Sequence, residues 1–471
     1  MSPRRLAVAT LLCFLAAAAP AAASGRPVVD LALNGSASAP EVNDGNAATT
    51  SCTNPVTVDL GRPRLLEGFG VSLAGDSGSA EVTIEAGARR VTATVPVGSP
   101  AWLPRPTIAR KIRMSTTGDV CVAELRAMGH GPRPIVGHDL SFAVQEAAAG
   151  ATYTDRGRTA LPEKILADHG AGWVRLRLWV DPPAGYSDLP GVLAMARRAK
   201  AAGMRLLLDP HYSDFWADPQ KQPIPASWPQ DLPSLAQKVH DYTRDVLDAL
   251  SAQGTPAQML QLGNEIRNGM LWPTGQLDGS QAQWDALGTL LRAAAAGARD
   301  ARGPTPRLVV HFDQGGDNAY SRYFYDNIDA QHVPFDVIGL SYYPFWHGTL
   351  SQLRANLDDL AARYHRDVAV VETQYGWTLD NGDSENNFLW TPDLLLPGYP
   401  ATPDGQLGFL SDLLSIVGAV PDGRGLGVFY WEPEWIPGVG WQPGAGTPND
   451  NLTLFDFSGR ALPGVGFADP L

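Results

Sequence analysis

The sequence has 471 residues, of which 18% are charged, and a formal net charge of −13. A chain of this length is long enough for two or three domains and a large hydrophobic core. The negative charge argues against a nucleic acid partner, which requires a basic surface. The 13 Trp residues favour a neutral polymer on whose faces aromatic rings stack.

The N-terminus has the features of an export signal. Arg4 and Arg5 precede an apolar run over residues 6–19, and small residues follow as far as Ser24. This order is typical of a cleaved secretory signal, so we predict that residues 1–24 are removed and that the protein is extracellular. The run is too short for a membrane-spanning helix, and no other stretch predicts an association with the membrane.

Two cysteines remain after removal of the signal, because Cys13 lies within it. An even pair in an exported chain predicts one disulfide, between Cys52 and Cys121. The sequence contains no Cys/His pattern typical of a structural zinc site.

Residues 25–130 predict a small all-β domain. Their apolar residues alternate with polar ones, turn residues separate the runs, and no helical stretch interrupts them, which is typical of an antiparallel sandwich. The predicted strands are Val56–Leu60, Gly68–Leu73, Ala80–Glu85, Arg89–Thr94 and Lys111–Ser115.

Three motifs in this region resemble those of discoidin, or galactose-binding-like, jelly rolls. They are Asn43-Asp-Gly-Asn46, Val58-Asp-Leu-Gly61 and Cys121-Val-Ala-Glu-Leu125. The resemblance implies that the first and last strands lie together and that the disulfide ties them. Some domains of this shape bind sugars and others only dock, so both roles stay open. The Gly- and Pro-rich stretch Gly129–Pro134 is predicted to be a linker.

Residues 135–471 predict an α/β fold, a (β/α)8 TIM barrel. Short apolar runs of strand length alternate with amphipathic helical patterns; one such helix begins near Ser234, which we predict to be its N-cap. The eight predicted strands are His138–Phe142, Trp173–Trp179, Met204–Asp209, Met259–Gly263, Arg307–His311, Asp336–Ser341, Val368–Glu372 and Gly427–Trp431.

Two of these strands lead into a glutamate. Glu265 follows the fourth predicted strand, and Glu372 ends the seventh. The carboxyl ends of barrel strands form the catalytic face of TIM-barrel enzymes. One glutamate there is more often a cap or a solvated loop residue, but two on one rim indicate a general acid facing a nucleophile or base, as glycosidic bonds require.

Motifs spread over residues 137–462 resemble those of endo-β-1,4-galactanases of glycoside hydrolase family 53. The motifs are Val174-Arg-Leu-Arg-Leu-Trp-Val180, His211-Tyr-Ser-Asp214, Gly263-Asn-Glu-Ile266, Gly269-Met-Leu-Trp-Pro273, Gly339-Leu-Ser-Tyr-Tyr-Pro-Phe-Trp-His-Gly348, Val371-Glu-Thr373 and Tyr430-Trp-Glu-Pro433. The resemblance implies a secreted retaining enzyme that cuts internal bonds of galactan side chains of pectin. It also implies a monomer that needs no catalytic cofactor.

The resemblance assigns roles to individual residues. Glu265 is the expected acid/base and Glu372 the expected nucleophile. Arg175 and Arg177 are two apart on one strand and point to the same side. We favour Arg175 as the arginine near Glu372; the alternative for either arginine is a structural ion pair.

Further residues at the strand ends are expected to bind the sugar chain. Asn264 is the expected partner of the 2-hydroxyl group, and His211 either donates to a hydroxyl or orients a carboxylate. Tyr343 is expected to hydrogen-bond the nucleophile, and Trp431 to form the floor of the cleavage subsite. Four other tryptophans follow strands and are candidates for stacking or for the core: Trp216, Trp272, Trp346 and Trp377.

One loop has the spacing of a calcium site. Asn381, Asp383, Glu385 and Asn387 place oxygen ligands at every second residue, as calcium loops often do. Bacterial galactanases that this chain resembles carry calcium there, with His at the position of Glu385. We therefore predict a structural, noncatalytic calcium ion, with a solvated acidic turn as the alternative.

Two other functions are compatible with the sequence. One is another endo-β-glycanase of the same clan, such as a mannanase or glucanase. The other is a barrel that binds polysaccharide without catalysis, against which the presence of both glutamates argues.

Overall fold

In the computed structural model of the chain, the described residues are 28–30, 36–43, 49–75, 78–87, 89–130, 134–183, 185–442 and 444–467. The predicted signal over residues 1–24 lies outside them, as do residues 131–133 of the predicted linker. Contacts divide the chain into two compact units, Met1–Gly131 and Pro132–Leu471. Each unit has its own hydrophobic core.

The first unit contains an antiparallel β-sheet, as predicted. Its first strand pairs with its last, with Val28 opposite His130, and the predicted disulfide joins Cys52 to Cys121. Burial alternates along Ser79–Ala86 because successive side chains of a strand point to opposite faces. The strands are Val28–Asp30, Ser36–Ala37, Val56–Ala74, Ser79–Ala86, Arg89–Pro96, Ala101–Thr116 and Cys121–His130, with a 3-10 turn at Pro40–Val42.

The prediction of separate strands at Val56–Leu60 and Gly68–Leu73 is wrong, because one long strand, Val56–Ala74, contains both. Its pairing with the neighbouring strand shifts register twice between residues 59 and 68. Pro63 lies in the first shift and has no N–H to donate. The ladder is therefore interrupted while the backbone stays extended.

The second unit is a closed barrel of eight parallel strands within the described residues, which confirms the predicted (β/α)8 fold. The strands follow one another around the barrel in chain order, and the eighth closes it by pairing with the first. They are β1 (Ile135–Asp139), β2 (Trp173–Leu178), β3 (Arg205–Pro210), β4 (Met259–Gln261), β5 (Arg307–Phe312), β6 (Val337–Ser341), β7 (Asp367–Glu372) and β8 (Gly425–Tyr430).

The first predicted strand, His138–Phe142, is misplaced. Strand β1 begins at Ile135 and ends at Asp139. It ends there because the side chain of Asp139 accepts a hydrogen bond from the backbone N–H of Ser141 at 3.1 Å. Such a local bond turns the chain away from the sheet.

Helices separate the strands. They are α1 (Ala143–Ala148), α2 (Pro162–Asp168), α3 (Leu189–Ala201), α4 (Leu232–Ala252), α5 (Gln281–Asp300), α6 (Asn318–Ala330), α7 (Pro344–His347), α8 (Leu350–Tyr364) and α9 (Pro403–Gly418). Short strand pairs form at Tyr153–Asp155 with Arg158–Ala160 and at Gly269–Met270 with Gly275–Gln276; 3-10 turns lie at Ile266–Asn268, Pro392–Leu394, Pro421–Gly423, Asp450–Leu452 and Pro463–Gly466. Over the part of the chain that the structure describes, none of the helices has the length and apolarity to span a bilayer.

Helix α4 begins earlier than predicted. Its N-cap is Asp231, not Ser234, and the Asp231 side chain accepts a hydrogen bond from the backbone N–H of Ser234 at 3.1 Å. Pro233 is compatible with this start because a first-turn N–H has no partner within the helix. The helix is amphipathic, as predicted, and its buried residues include Leu235, Val239, Val246 and Leu250.

The inward-facing side chains of β2 to β5 form two sets, which are called here the lower and the upper layer. The lower layer is apolar, and two residues further along β2 to β5 the side chains are polar. Positions two apart share a face of a strand, so both sets point inward, and the polar set lies nearer the C-terminal ends. The lower layer contains Trp173, Leu207, Met259 and Val309; the upper layer contains Arg175, Asp209, Gln261 and His311, all buried.

Candidate active site

The two predicted glutamates meet at the C-terminal end of the barrel. Glu372 is the last residue of β7, and Glu265 lies in the loop that follows β4. One carboxylate oxygen of each, together with a ring nitrogen of His311, lies within 4.8 Å of the others. Two acidic groups from remote parts of the chain therefore face one point.

Arg175 on β2 forms ion pairs with one of these glutamates and with two buried aspartates. Its guanidinium lies 2.7 Å from a carboxylate oxygen of each of Glu372, Asp209 and Asp139. Its Nε donates a hydrogen bond to Oε1 of Gln261 at 2.8 Å. The structure thus brings Arg175 to Glu372, in agreement with the choice of Arg175 over Arg177.

Glu372 is surrounded by groups that favour its ionised form. Arg175 contacts Oε1, and the hydroxyl group of Tyr343 donates to Oε2 at 3.1 Å. Burial raises the pKa of Glu372 and Arg175 opposes this, with the result that the pKa lies at about 7. A carboxylate held in this way is suited to attack a carbon atom.

Glu265 has a different environment. Its Oε1 accepts a hydrogen bond from the Ser341 hydroxyl group at 2.6 Å. Burial, then the charge of Glu372, then that of Asp313, raise the pKa of Glu265 well above its usual range. Because Arg175 contacts Glu372 directly, the proton of the pair resides on Glu265, as a general acid requires.

The backbone at Glu265 adopts an unusual conformation. Its φ is 46°, in the left-handed region that side chains rarely occupy. Gly263 has a φ of 90°, and a Cβ atom there would come within 2.9 Å of Cγ2 of Ile266. This tight turn carries Glu265 over the barrel mouth, and strained backbone of this kind is common at functional sites.

His311 on β5 links the upper polar layer to Glu265. Its Nδ1 accepts from Nε2 of Gln261 at 3.0 Å and from the Glu265 backbone N–H at 3.3 Å. Its Nε2 lies 2.8 Å from the Ser341 hydroxyl, which in turn donates to Glu265. Burial, aided by Arg175, lowers the pKa of His311 well below its usual value, so the ring is neutral.

Four residues of this network were not predicted from the sequence: His311, Ser341, Asp209 and Gln261. A usable signal was present, because these are polar residues at inward positions of otherwise apolar strands. Polar groups buried in a barrel interior need partners, and the structure shows that they are one another's partners.

Asn264 and His211 both line the space above the pair. Asn264 accepts from Arg175 through Oδ1 at 3.0 Å and donates through Nδ2 to the Ala217 carbonyl at 2.9 Å. That contact uses one of its two amide N–H groups. His211 contacts Oδ2 of Asp209 through Nε2 at 3.2 Å and accepts from the Ala217 backbone N–H at 3.0 Å; burial lowers its pKa, and the neutral ring orients Asp209.

An open groove with a volume of about 1000 Å³ passes over the carboxyl pair. Its wall includes three predicted tryptophans, of which Trp346 is 54% exposed, together with Trp441, which the sequence analysis missed. The Trp441 ring centroid lies 5.1 Å from that of Trp216. The aromatic lining residues are Phe215, Trp216, Tyr343, Trp346, Phe388, Trp431 and Trp441.

Two predicted stacking residues are not among the lining residues described for the groove. The Trp272 indole N–H donates to the carbonyl of Asn268 at 3.0 Å, and the Trp377 ring packs on Phe457 with centroids 4.8 Å apart. Both therefore stabilise loops, a role that differs from the stacking and core roles considered for them.

Arg177 supports the aromatic wall instead of Glu372. Its Nη1 lies 2.9 Å from Oε1 of Glu432. Its guanidinium carbon lies 4.2 to 4.8 Å from the ring centroids of Phe142, Trp179 and Trp216. This buried cation is therefore paired with one carboxylate and enclosed by aromatic faces.

Two places contain side chains of the types that bind metal ions. Among the described residues, the one group of three His or acidic side chains that are close enough is Glu265, His311 and Glu372, but both ring nitrogens of His311 already have partners. The second place is the predicted calcium loop.

The predicted calcium loop gathers oxygen atoms around Asp383. Asn381 accepts from the backbone N–H of Asp383, and Asp383 accepts from that of Glu385. Oδ1 of Asn387 and Oδ1 of Asp450 are buried without a hydrogen-bond partner in the described residues. Burial raises the pKa of Asp450 to about 6, and the charge of Asp383 adds to this effect. Hard oxygen atoms and excess negative charge fit calcium.

The closed barrel with two carboxyl groups converging at its C-terminal face defines a glycoside hydrolase. Residues 135–467 match the model of glycosyl hydrolase family 53. The arabinogalactan endo-β-1,4-galactanase of Thermothelomyces thermophilus is 38% identical over 334 residues, which are 69% of this chain and 96% of that protein. The enzyme of the same name from Cellvibrio japonicus is 38% identical over 340 residues, covering 70% and 88%.

A solved structure supports the same assignment. The Ignisphaera aggregans GH53 catalytic domain superposes with a TM-score of 0.67 and 38% identity, covering 71% of this chain and 95% of that domain. The chain therefore belongs to glycosyl hydrolase family 53.

Proposed function

We propose that this protein is a secreted, retaining endo-β-1,4-galactanase that acts on galactan and on the type I arabinogalactan side chains of pectin. The names of the family relatives suggest the substrate. The retaining mechanism is supported by one observation, the approach of the two carboxyl groups to within 4.8 Å. Retaining enzymes need about 5–5.5 Å, whereas inverting enzymes need roughly 6.5–9.5 Å to fit a water molecule.

In the first step, an oxygen of Glu372 attacks the anomeric carbon as the bond to the leaving sugar breaks. Glu265 donates its proton to the departing oxygen. The product is an ester between Glu372 and the galactosyl unit. Arg175 and Tyr343 hold Glu372 ionised before the attack.

In the second step, Glu265 is a carboxylate and removes a proton from a water molecule. The water oxygen attacks the anomeric carbon, the ester bond breaks, and both glutamates return to their starting states. Two inversions at one carbon give net retention. The second amide N–H of Asn264 is suited to bind the 2-hydroxyl group throughout.

The groove supports cleavage within a chain rather than at its end, because aromatic residues such as Trp346 and Trp441 line it on different loops. We expect these rings to stack on successive sugar units. We also expect the enzyme to be a monomer and the first unit to be a galactose-binding-like domain, since its first and last strands pair.

The test is a panel of galactan, mannan and β-glucan with release of reducing ends as the readout. The expected result is cleavage of galactan with retention of the anomeric configuration, as monitored by NMR. Cleavage of mannan or glucan but not galactan would indicate another endo-β-glycanase. Galactan turnover no faster than that of Glu372→Gln would indicate a binding barrel.

The nucleophile has its own test. Glu372→Ala should regain activity with added azide and yield an α-galactosyl azide, because azide enters from the face that the carboxylate vacated. Glu265→Ala serves as the matched comparison, since azide there should give the β-azide from an activated substrate. The β-azide from Glu372→Ala would contradict the assignment.

We also propose that the loop after β7 holds a structural calcium ion through Asp383, Asn387 and the neighbouring Asp450, with Asn381 and Glu385 shaping the turn. The unpartnered oxygens of Asn387 and Asp450 support this. A chelator should lower the melting temperature, calcium should restore it, and Asp383→Asn should abolish the difference. A melting temperature indifferent to both treatments would overturn the proposal.

A further inference from the structure

The polar side of the groove contains an ion pair that is incompletely formed. Arg267 lies two residues after Glu265, in the 3-10 turn Ile266–Asn268, and Asp313 directly follows β5. Both side chains line the groove. They therefore stand beside the expected acid/base, on neighbouring strand ends.

The geometry of this pair is loose. The closest approach, from Arg267 Nη1 to Asp313 Oδ2, is 3.4 Å. Gln314 donates to the same Oδ2 atom at 2.9 Å. Arg267 Nε and Asp313 Oδ1 have no hydrogen-bond partner within the described part of the chain, although Asp313 is only 4% exposed.

Two other arginine pairs in the chain are made differently. Arg198 donates two hydrogen bonds of 2.8 Å to the two oxygens of Glu163. Arg363 donates at 3.0 and 2.9 Å to the two oxygens of Asp326. Such a bidentate pair is the strong arrangement of a guanidinium with a carboxylate. The Arg267–Asp313 pair does not have it.

The guanidinium of Arg267 lies in the wall of the groove, beside an aromatic ring. Its carbon lies 5.8 Å from the Tyr320 ring centroid, and the side chain is 23% exposed. The Oδ1 atom of Asp313 is buried, so this carboxylate positions the cation. The Nη donors of Arg267 match the hydroxyl oxygens of a sugar, which accept hydrogen bonds.

The side of the groove decides which sugar is bound. Arg267 and Asp313 stand beside Glu265, which donates its proton to the oxygen of the leaving sugar. We propose that Arg267, positioned by Asp313, forms the subsite for the leaving galactosyl unit, a role that rests on the proposed galactanase function. The same subsite then accepts an incoming sugar when the Glu372 ester is transferred to a sugar hydroxyl instead of to water.

This second property gives a test that is independent of acid catalysis. The Glu372 ester is formed from 4-nitrophenyl β-1,4-galactobioside. Water, methanol and added galactobiose then compete as acceptors for the galactosyl group. Transfer to galactobiose forms a new bond to its 4-hydroxyl oxygen, whose proton passes to Glu265. All three acceptors need Glu265 as the base, but only galactobiose needs the subsite.

The variants are Arg267→Met and Asp313→Asn, with Asp326→Asn as the matched control from a surface pair. In the first two, the ratio of galactobiose transfer to hydrolysis should fall about ten- to a hundredfold, because the sugar hydroxyl loses its charged donor in Arg267→Met and that donor loses its position in Asp313→Asn. The ratio of methanol transfer to hydrolysis should stay constant in all three. If a variant fails to fold, Gln314→Ala, which removes the donor to Asp313, should give the same direction with a smaller fall.

Three results would overturn the inference. They are an unchanged galactobiose ratio, a parallel fall of the galactobiose and methanol ratios, and no transfer to galactobiose by the unmodified enzyme. The parallel fall would assign Arg267 and Asp313 to the support of Glu265. Failure of the galactanase proposal is seen separately, as an unmodified enzyme that does not cleave galactan.

Discussion

The two layers of the barrel interior lie two residues apart along the strands and differ in what stabilises them. The lower layer, around Met259 and Val309, consists of apolar side chains that gain free energy by leaving water. The upper layer, around Arg175 and His311, consists of polar groups that are favourable only while each retains its partners. The comparison teaches that one strand can carry fold stability and chemistry at positions two residues apart.

The largest expected effect is on catalysis at the top of the upper layer. Glu265→Gln and Glu372→Gln should each lower kcat on galactan by roughly a thousandfold or more, because two catalytic groups that act as a unit fail together. The shape of the side chain is preserved, so the melting temperature should change little. Glu85→Gln, from an exposed pair in the first unit, is the control. A variant within tenfold of the unmodified enzyme would contradict the roles.

The second effect is on stability within the upper layer. Arg175→Met should lower the free energy of unfolding by about 3–5 kcal/mol, because Asp139 and Asp209 are left buried without their cation. Urea denaturation measures the change. Arg307→Met removes a partly exposed pair with Asp367 and should cost less than about 1 kcal/mol. Equal losses in the two variants would mean that the buried ion pairs of the upper layer contribute no more to the free energy of unfolding than a surface pair.

The third effect is on the lower layer. Met259→Ala leaves a cavity and should cost about 2–5 kcal/mol in the free energy of unfolding, while Met259→Leu, which keeps the volume, should cost less than about 1.5 kcal/mol. Below the melting transition, kcat of both variants should stay within a few-fold of the unmodified enzyme. A fall in kcat comparable with that of the glutamate variants would remove the distinction between the layers.

Much of the lower layer is predictable from the sequence. Strands such as Val337–Ser341 and Asp367–Glu372 are short apolar runs between helical patterns, and such runs identify a barrel without further information. The strand ends then place Glu265 and Glu372 on one rim. Prediction failed where a local contact decides the boundary, as at Asp139, whose own side chain ends β1.

The upper layer is less predictable because its residues interact with side chains on other strands. Asp209, Gln261 and His311 each occupy a strand position where sequence alone predicts an interior residue. A polar residue there indicates a buried network, but the sequence does not show which residues are its partners. Likewise Arg175 and Arg177 share a side of β2, yet one contacts Glu372 and the other Glu432. Only the barrel geometry separates their roles.

The smallest predicted effect concerns the pH dependence of the upper layer. As the proposed nucleophile, Glu372 must be ionised, and its pKa lies at about 7, so kcat/KM should fall as pH decreases through that value. Burial raises the pKa of Glu265, the proposed acid, well above its usual range, so loss of its proton forms the alkaline limb. Tyr343 donates to Glu372 and stabilises its charge. Tyr343→Phe should therefore move the acidic limb to higher pH by about 0.5–1 unit, since one hydrogen bond contributes about 0.5–1.5 kcal/mol and one pH unit corresponds to about 1.4 kcal/mol.

The matched control for this shift is Tyr364→Phe, because the Tyr364 hydroxyl group on helix α8 donates to Asp326 at the surface. Its pH profile should coincide with that of the unmodified enzyme. A limb that moves to lower pH in Tyr343→Phe would mean that the hydroxyl group favours the protonated carboxyl, and the nucleophile would then depend on Arg175 alone for its charge. A shift of equal size in both variants would mean that the profile reports stability and not the ionisation of Glu372.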